Sequence, residues 1–385
     1  MKPFFLLFEI LVGIALSFLL TTVFFSNKIN FEDQALGTET VTWPAVDSVG
    51  NPIHILHLDP TETDRLIKYW HDRGSKEVIL IFGNSQTHSI NQRKDGEVVF
   101  VELLHNRLKK LNMEILSVSF PNASLQEFFL AYNYLKQRLK IGKVIVPVFF
   151  DDMREDGLRD VYFPELISER YQIASDSTEL KKKINGELQS HFNKANPASG
   201  QANSTKPDLA ALKATFQERS ESLLNQFLNE HFAAWQNRAN VRGYFFVWLY
   251  QLRNTVFGIN ASTIRKMIPN RYQWNWQALL EMTEDCSENK IDVLLYVPPL
   301  RFDLPIPYDI KMYNDFKIKL AECANANPRH LQFKNYESII PGNLWGYKGS
   351  TNLISKREAD YMHFKYKGHQ ILADSLFNVL NKQVK

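Results

Sequence analysis

The sequence predicts an α/β protein. The expected architecture is a doubly wound α/β/α sandwich on a mostly parallel, five-stranded sheet, with a helical insertion and one N-terminal transmembrane helix. Three observations carry this prediction. Short continuous apolar runs alternate with amphipathic helical patterns. A long charged stretch separates the third run from the fourth. The segment from Met1 to Phe25 carries only Lys2 and Glu9 as charged residues.

Ile10 to Phe25 is free of charge and would span roughly 24 Å as a helix, against about 30 Å of bilayer core. Extension back to Pro3 makes it long enough, with Glu9 near the interface. The stretch has no polar face and no clear small-x-small site. An uncleaved signal anchor with the rest of the chain outside is the expectation, and a cleaved signal peptide is the alternative. Residues 28–74, punctuated by Pro44, Gly50, Pro52 and Pro60, read as a stalk and lead-in, with a short helix over 61–72.

The strands follow in order: VILIF at 78–82, ILSVS at 115–119, VIVPVFF at 144–150, IDVLLYV at 291–297, and a weaker fifth at 331–333. Helical patterns occupy 98–111, 125–139, 274–288 and 309–324. Apolar strands between amphipathic helices indicate a parallel sheet covered on both faces, and a flavodoxin-like strand order is the expectation for it. The expected domain is 75–160 with 271–385. The insertion is 161–270, with helices near 177–193 and 209–238 and a polar loop over 196–206. Its aromatic stretch, 243–252, suits a buried helix, or else a segment touching a membrane or a partner.

The whole chain has 45 Lys+Arg against 42 Asp+Glu and 44% hydrophobic residues. Its mean hydropathy of -0.29 excludes a polytopic membrane protein. The apolar content excludes a disordered chain, and the charge balance gives no case for nucleic acid as a partner. Cys286 and Cys323 suit either a disulfide or two buried thiols. His and Cys do not cluster at metal-ligand spacings, and no Gly-rich phosphate loop precedes a helix, so no metal or cofactor is expected.

The first strand runs into Gly83-Asn84-Ser85. A serine just past a strand end lies where doubly wound sheets bind ligands. Gly83 would allow a tight turn there. Near the C-terminus stands Asp360-Tyr-Met-His363, followed by a helix with Gly368. A serine nucleophile needs a base, and the base an orienting carboxylate. Asp-x-x-His on a loop entering a helix can supply both.

With these two blocks, serine first and Asp-x-x-His last, the sequence resembles the SGNH (GDSL-like) hydrolase superfamily over about 75–150 and 290–380. The resemblance implies Ser85 as nucleophile, His363 as general base and Asp360 as its orienter. It also implies a Gly after the second strand and an Asn after the third, completing an oxyanion hole. This chain has Asn122 and the pair Asp151-Asp152 instead. Asn122 can donate to an oxyanion or be a turn residue; a carboxylate donates only when protonated. The anchor and altered blocks are similar to the cell-envelope acyl-transfer branch, which includes the D-alanyl-lipoteichoic acid biosynthesis protein and alginate O-acetyltransferase-like proteins. That likeness implies a membrane-bound O-acyltransferase as partner and an envelope polysaccharide as acceptor. A carbohydrate esterase and an impaired scaffold are the alternatives. His88, three residues after Ser85, is expected to line the pocket or the surface, and Trp345 to line an acceptor groove or anchor its loop.

Overall fold

The computed structural model describes residues 39–72, 77–111, 113–174, 178–195, 238–354 and 357–381, with isolated positions 12, 13, 16 and 224. Nearly all of the expected anchor, the polar loop over 196–206 and nearly all of the expected helix over 209–238 lie outside the described residues. Among the described residues, no helix is long and apolar enough to cross a membrane. The chain divides into two compact units. The larger comprises Glu39–Gly200, Ala261–Lys348 and Arg357–Lys385; the smaller comprises Met1–Thr38, Gln201–Asn260 and Gly349–Lys356.

The larger unit begins with β1 (Thr40–Thr42), β2 (His54–Ile55) and α1 (Pro60–Asp72). Next come β3 (Val78–Gly83), the four-residue helix α2 (Ser85–His88), β4 (Ser89–Asn91) and α3 (Phe100–Leu108). Then follow β5 (Glu114–Ser119), α4 (Leu125–Leu135) and β6 (Ile141–Pro147). Helices α5 (Pro164–Ser168) and α6 (Glu179–Ala195) also belong to this unit. The smaller unit contains α7 (Arg238–Val256). The chain closes with α8 (Pro269–Glu288), β7 (Asp292–Val297), α9 (Ile310–Ala326), β8 (Leu331–Asn335), β9 (Trp345–Lys348), β10 (Glu358–Phe364) and α10 (Tyr366–Asn381).

The central sheet is parallel throughout, in the order β2-β5-β3-β6-β7-β8. The five expected strands take the flavodoxin-like order. A sixth, β2, adds to the edge from the segment read as lead-in. From residue 39 onward, that segment belongs to the folded unit rather than to a stalk. The insertion differs in the same way, because α5 and α6 join the sheet's unit while α7 belongs to the other.

Alternation along each strand explains the two covered faces. Val78, Leu80, Phe82, Val144 and Val146 point into one layer, with α1, α4, α8 and α9. Ile79, Ile81, Ile115, Ile145 and Tyr296 point into the other, with α3 and α10. The six residues of β3 are buried from end to end, so its run has no polar alternation. Truncating Phe82, stacked on Phe128 at 5.2 Å, to Ala would cost about 3–5 kcal/mol.

Both cysteines are free thiols, and Cys286 is buried. Burial pushes the Cys286 thiol up to about 12, which keeps it protonated and unreactive.

Candidate active site

Ser85 sits at the carboxyl end of β3, as the first residue of α2. From Val78 to Asn91 every residue is buried except Ser85, which is partly exposed. The turn is held by neighbouring polar side chains. Asn84 caps α2, its Oδ1 accepting from the Gln86 N–H at 3.0 Å. Its Nδ2 donates to Asp152 Oδ1 at 3.1 Å. Gln86 Nε2 donates to the carbonyls of Pro299 (2.9 Å) and Met362 (2.7 Å). That last bond ties the serine turn to the strand carrying His363.

Gly83 is required for space rather than for a tight turn. Its φ is not positive, but a Cβ there would overlap the Thr87 side chain. Gly368 serves α10 similarly, since a Cβ there would press on Phe364.

Asp360 and His363 lie on β10, not on a loop. β10 pairs with β9 through Ala359↔Tyr347 and Phe364↔Trp345, so the stretch between is bulged. In a regular strand, residues three apart point to opposite faces. The bulge re-aims both side chains, and His363 Nδ1 reaches Asp360 Oδ2 at 2.9 Å. His363 Nε2 lies 2.9 Å from Ser85 Oγ. Asp360 Oδ1 accepts the N–H groups of Met362 (2.9 Å) and His363 (3.0 Å). Oδ2 also accepts from Thr40 Oγ1 at 3.4 Å. Burial alone would raise the Asp360 carboxyl. The His363 charge, its hydrogen bond and the two N–H groups outweigh burial and hold it at about 2.

The other expected site residues have different surroundings. His88 is buried rather than pocket-lining or on the surface. Its Nδ1 lies 2.5 Å from Ser119 Oγ, whose other neighbour is His54 Nε2 at 2.8 Å. A hydroxyl has one proton, so it donates to one imidazole and accepts from the other, which couples the two tautomers. Burial pushes His54 down to about 3, and burial with nearby histidines holds His88 well below the usual imidazole range, so both are neutral at pH 7. Trp345 is buried, donates from Nε1 to Ile340 O at 3.2 Å and stands edge-on to Phe364. It anchors its loop and does not line a groove.

Neither aspartate after β6 replaces the expected amide donor as an exposed side chain. Asp151 is bound by Arg265 and Arg154 and accepts from the Tyr308 hydroxyl at 2.9 Å. Asp152 is buried and occupied with Asn84; burial raises its carboxyl well above the usual range. Asn122 is an exposed turn residue with a left-handed φ of 49°. It leads into α4, whose Ser124–Glu127 capping box is reinforced by Arg159 on Glu127. Asn122 is thus a turn residue on the surface rather than a buried donor beside Ser85. The side chains of Asn84 and Gln86 are already engaged, and the backbone N–H of Ser85, in the first turn of α2, has no intrahelical acceptor and can serve as a donor. Among the described residues, no group of His, Cys, Asp and Glu is arranged to hold a metal.

Sequence reasoning missed His54, Asn84, Gln86, Thr40 and Ser119. Asn84 and Gln86 flank the expected serine, so an amide pair around a nucleophile was the available signal.

No family model matches the chain, and no curated protein matches it. Two crystal structures of Bacteroides proteins resemble it weakly. One is a B. fragilis protein assigned as an acylhydrolase, 12% identical, at a TM-score of 0.38 over 86% of this chain and 100% of that one. The other is a GDSL-like lipase from B. thetaiotaomicron, 10% identical, at a TM-score of 0.35 over 82% of this chain and 98% of that one. At these scores the likeness carries no weight of its own, and a function must rest on the serine, histidine and aspartate of this chain.

Proposed function

We propose that the protein is an SGNH-type serine enzyme that moves acyl groups, most specifically O-acetyl groups, onto hydroxyls of a cell-envelope or extracellular polysaccharide. One observation carries the reading. Ser85 Oγ, His363 Nε2 and Nδ1, and Asp360 Oδ2 form a chain with both contacts at 2.9 Å, at the one partly exposed residue of a buried turn.

The chemistry follows from that chain. His363 Nε2 takes the Ser85 hydroxyl proton as Oγ attacks the ester carbonyl carbon. Asp360, ionised, stabilises the imidazolium. The tetrahedral intermediate expels the alcohol, which receives the proton from His363, and the acyl group remains on Ser85. An acceptor hydroxyl then gives its proton to His363 and takes the acyl group, restoring Ser85. With a sugar as acceptor the enzyme is a transferase; with water it is an esterase.

The anchor and envelope setting are part of the proposal, with a membrane-bound O-acyltransferase as the partner that supplies the acyl group. A catalytically impaired scaffold remains the non-enzymatic reading. It draws on the missing amide donor after β6, and the intact serine–histidine contact weighs against it.

A fluorophosphonate should label the wild-type protein and leave Ser85→Ala unlabelled. Equal labelling of both would remove Ser85 from the chemistry. An aryl acetate assayed with and without oligosaccharide separates the acceptors. Cleavage of the ester without any acetylated oligosaccharide would favour the esterase.

A further inference from the structure

Helix α7 is amphipathic in reverse. Its polar side is turned inward and tied to the 349–356 segment of the same unit. Gln251 Nε2 donates to Ser350 O at 3.2 Å, Asn254 Nδ2 donates to Thr351 O at 2.7 Å, and Thr255 Oγ1 accepts from Leu353 N at 2.9 Å. Asn254 is fully buried. The opposite side is aromatic and exposed: Phe245 is 54%, Phe246 56% and Trp248 47% accessible, with Leu249 and Tyr250 beside them. Buried packing of 243–252, the first expectation from the sequence, is therefore not what forms. Rolling the helix to hide the aromatics would break the inward hydrogen bonds and leave Asn254 without partners, so the orientation is fixed.

The charge around this face is one-sided. Within the smaller unit, no acidic residue lies between Glu230 and Asn260, while Arg238, Arg242 and Arg253 fall within that stretch. The chain as a whole is nearly balanced, so the asymmetry is local. Arg242 and Arg253 are exposed, and the Arg253 guanidinium lies over the Tyr250 ring at 4.7 Å. Exposed aromatics beside exposed arginines match a surface that is apolar just below a layer of phosphates. Arg242, Gln251, Arg253 and Asn254 within the helix make a span unfavourable, so the helix would lie in the plane.

We infer that α7 is an interfacial helix that lies on an anionic lipid bilayer. Phe245, Phe246, Trp248 and Leu249 sink to the headgroup–acyl boundary, and Arg242 and Arg253 meet lipid phosphates. This is independent of the Ser85 chemistry.

The test uses the full chain in phosphatidylcholine vesicles with about a third phosphatidylglycerol, and in phosphatidylcholine alone. Cys286 and Cys323 are replaced by Ala, and an environment-sensitive fluorophore is placed on Leu249→Cys or, as control, on Lys182→Cys. An unchanged circular-dichroism spectrum and urea midpoint verify the fold. A quencher carried high on the acyl chain should dim the residue-249 probe and spare the residue-182 probe. Omitting phosphatidylglycerol, or introducing Arg242→Glu with Arg253→Glu, should reduce that quenching by about twofold or more. Equal quenching at the two sites, or quenching at residue 249 indifferent to lipid charge, would overturn the inference. So would protection of the residue-249 probe only through concentration-dependent self-association, which would make a second copy the occupant.

Discussion

Ser85 and Ser119 both lie within hydrogen-bond distance of imidazoles, and only Ser85 is built for chemistry. Ser85 meets His363 at 2.9 Å, and Ser119 lies between His54 at 2.8 Å and His88 at 2.5 Å. The first pair has a carboxylate behind the imidazole and a partly exposed oxygen. The second has no carboxylate shown and is fully buried. Distance alone does not make a nucleophile. An ionised orienter that stabilises the imidazolium, together with access for the substrate, separates the two.

The largest effect should come from removing that orienter. Asp360→Asn keeps the shape but can hold His363 in the wrong tautomer, and should lower ester turnover by about 10⁴-fold while the fold persists by circular dichroism. A loss under about tenfold would erase the distinction between the two contacts.

Acid should separate them next. Asp360 has a folded pKa depressed to about 2, so its contribution to stability is present above its ordinary carboxylate range and is lost as pH falls toward 2. His54 also has a depressed folded pKa, about 3, but it is buried neutral, so the unfolded chain binds the proton first. Stability therefore declines as pH falls from the ordinary histidine range near 6.5 toward 3, by roughly 1.4 kcal/mol per pH unit for each such histidine. His88 and His369, likewise lowered chiefly by burial, add to the slope. Denaturant midpoints measured against pH should fall well before the carboxylate range is reached, and His54→Gln should flatten the curve. A flat profile between pH 7 and 5 would contradict neutral burial.

The smallest effect on activity should come from Ser119→Ala. It leaves His54 Nε2 and His88 Nδ1 without their shared hydroxyl and should cost about 1–3 kcal/mol of stability, read from the urea midpoint. Turnover at a permissive temperature should stay within about tenfold of wild type. Loss on the scale of Asp360→Asn would make the buried pair part of the chemistry.

What the sequence revealed follows from how each feature is encoded. Continuous apolar strands mark a sheet covered on both sides, and β3, β5, β6, β7 and β8 lie where such runs occur. The helices over 125–135 and 310–326 agree with their apolar periodicity to within a few residues. Strand β2 has only two residues, and its role depends on a partner far along the chain, so no local pattern announces it. The serine and the Asp-x-x-His block were legible because their order and spacing are local. The bulge that brings Asp360 to His363 was not, because it is a mismatch between two strands. Likewise Thr40 reaches Asp360 across 320 residues of sequence, which no reading of either neighbourhood suggests. The inward polar face of α7 depends on backbone carbonyls at 350 and 351, so composition alone favoured burial of the wrong side.

The most direct measurement of the central claim is mass analysis of the acyl-enzyme. The protein is mixed with an activated aryl acetate, quenched in acid during turnover and digested. One acetyl group should appear on the peptide containing Ser85, should accumulate when the acceptor is withheld, and should be absent in Ser85→Ala and from the Ser119 peptide. Sustained ester cleavage with no acetyl on Ser85, or with the acetyl on another side chain, would contradict the account.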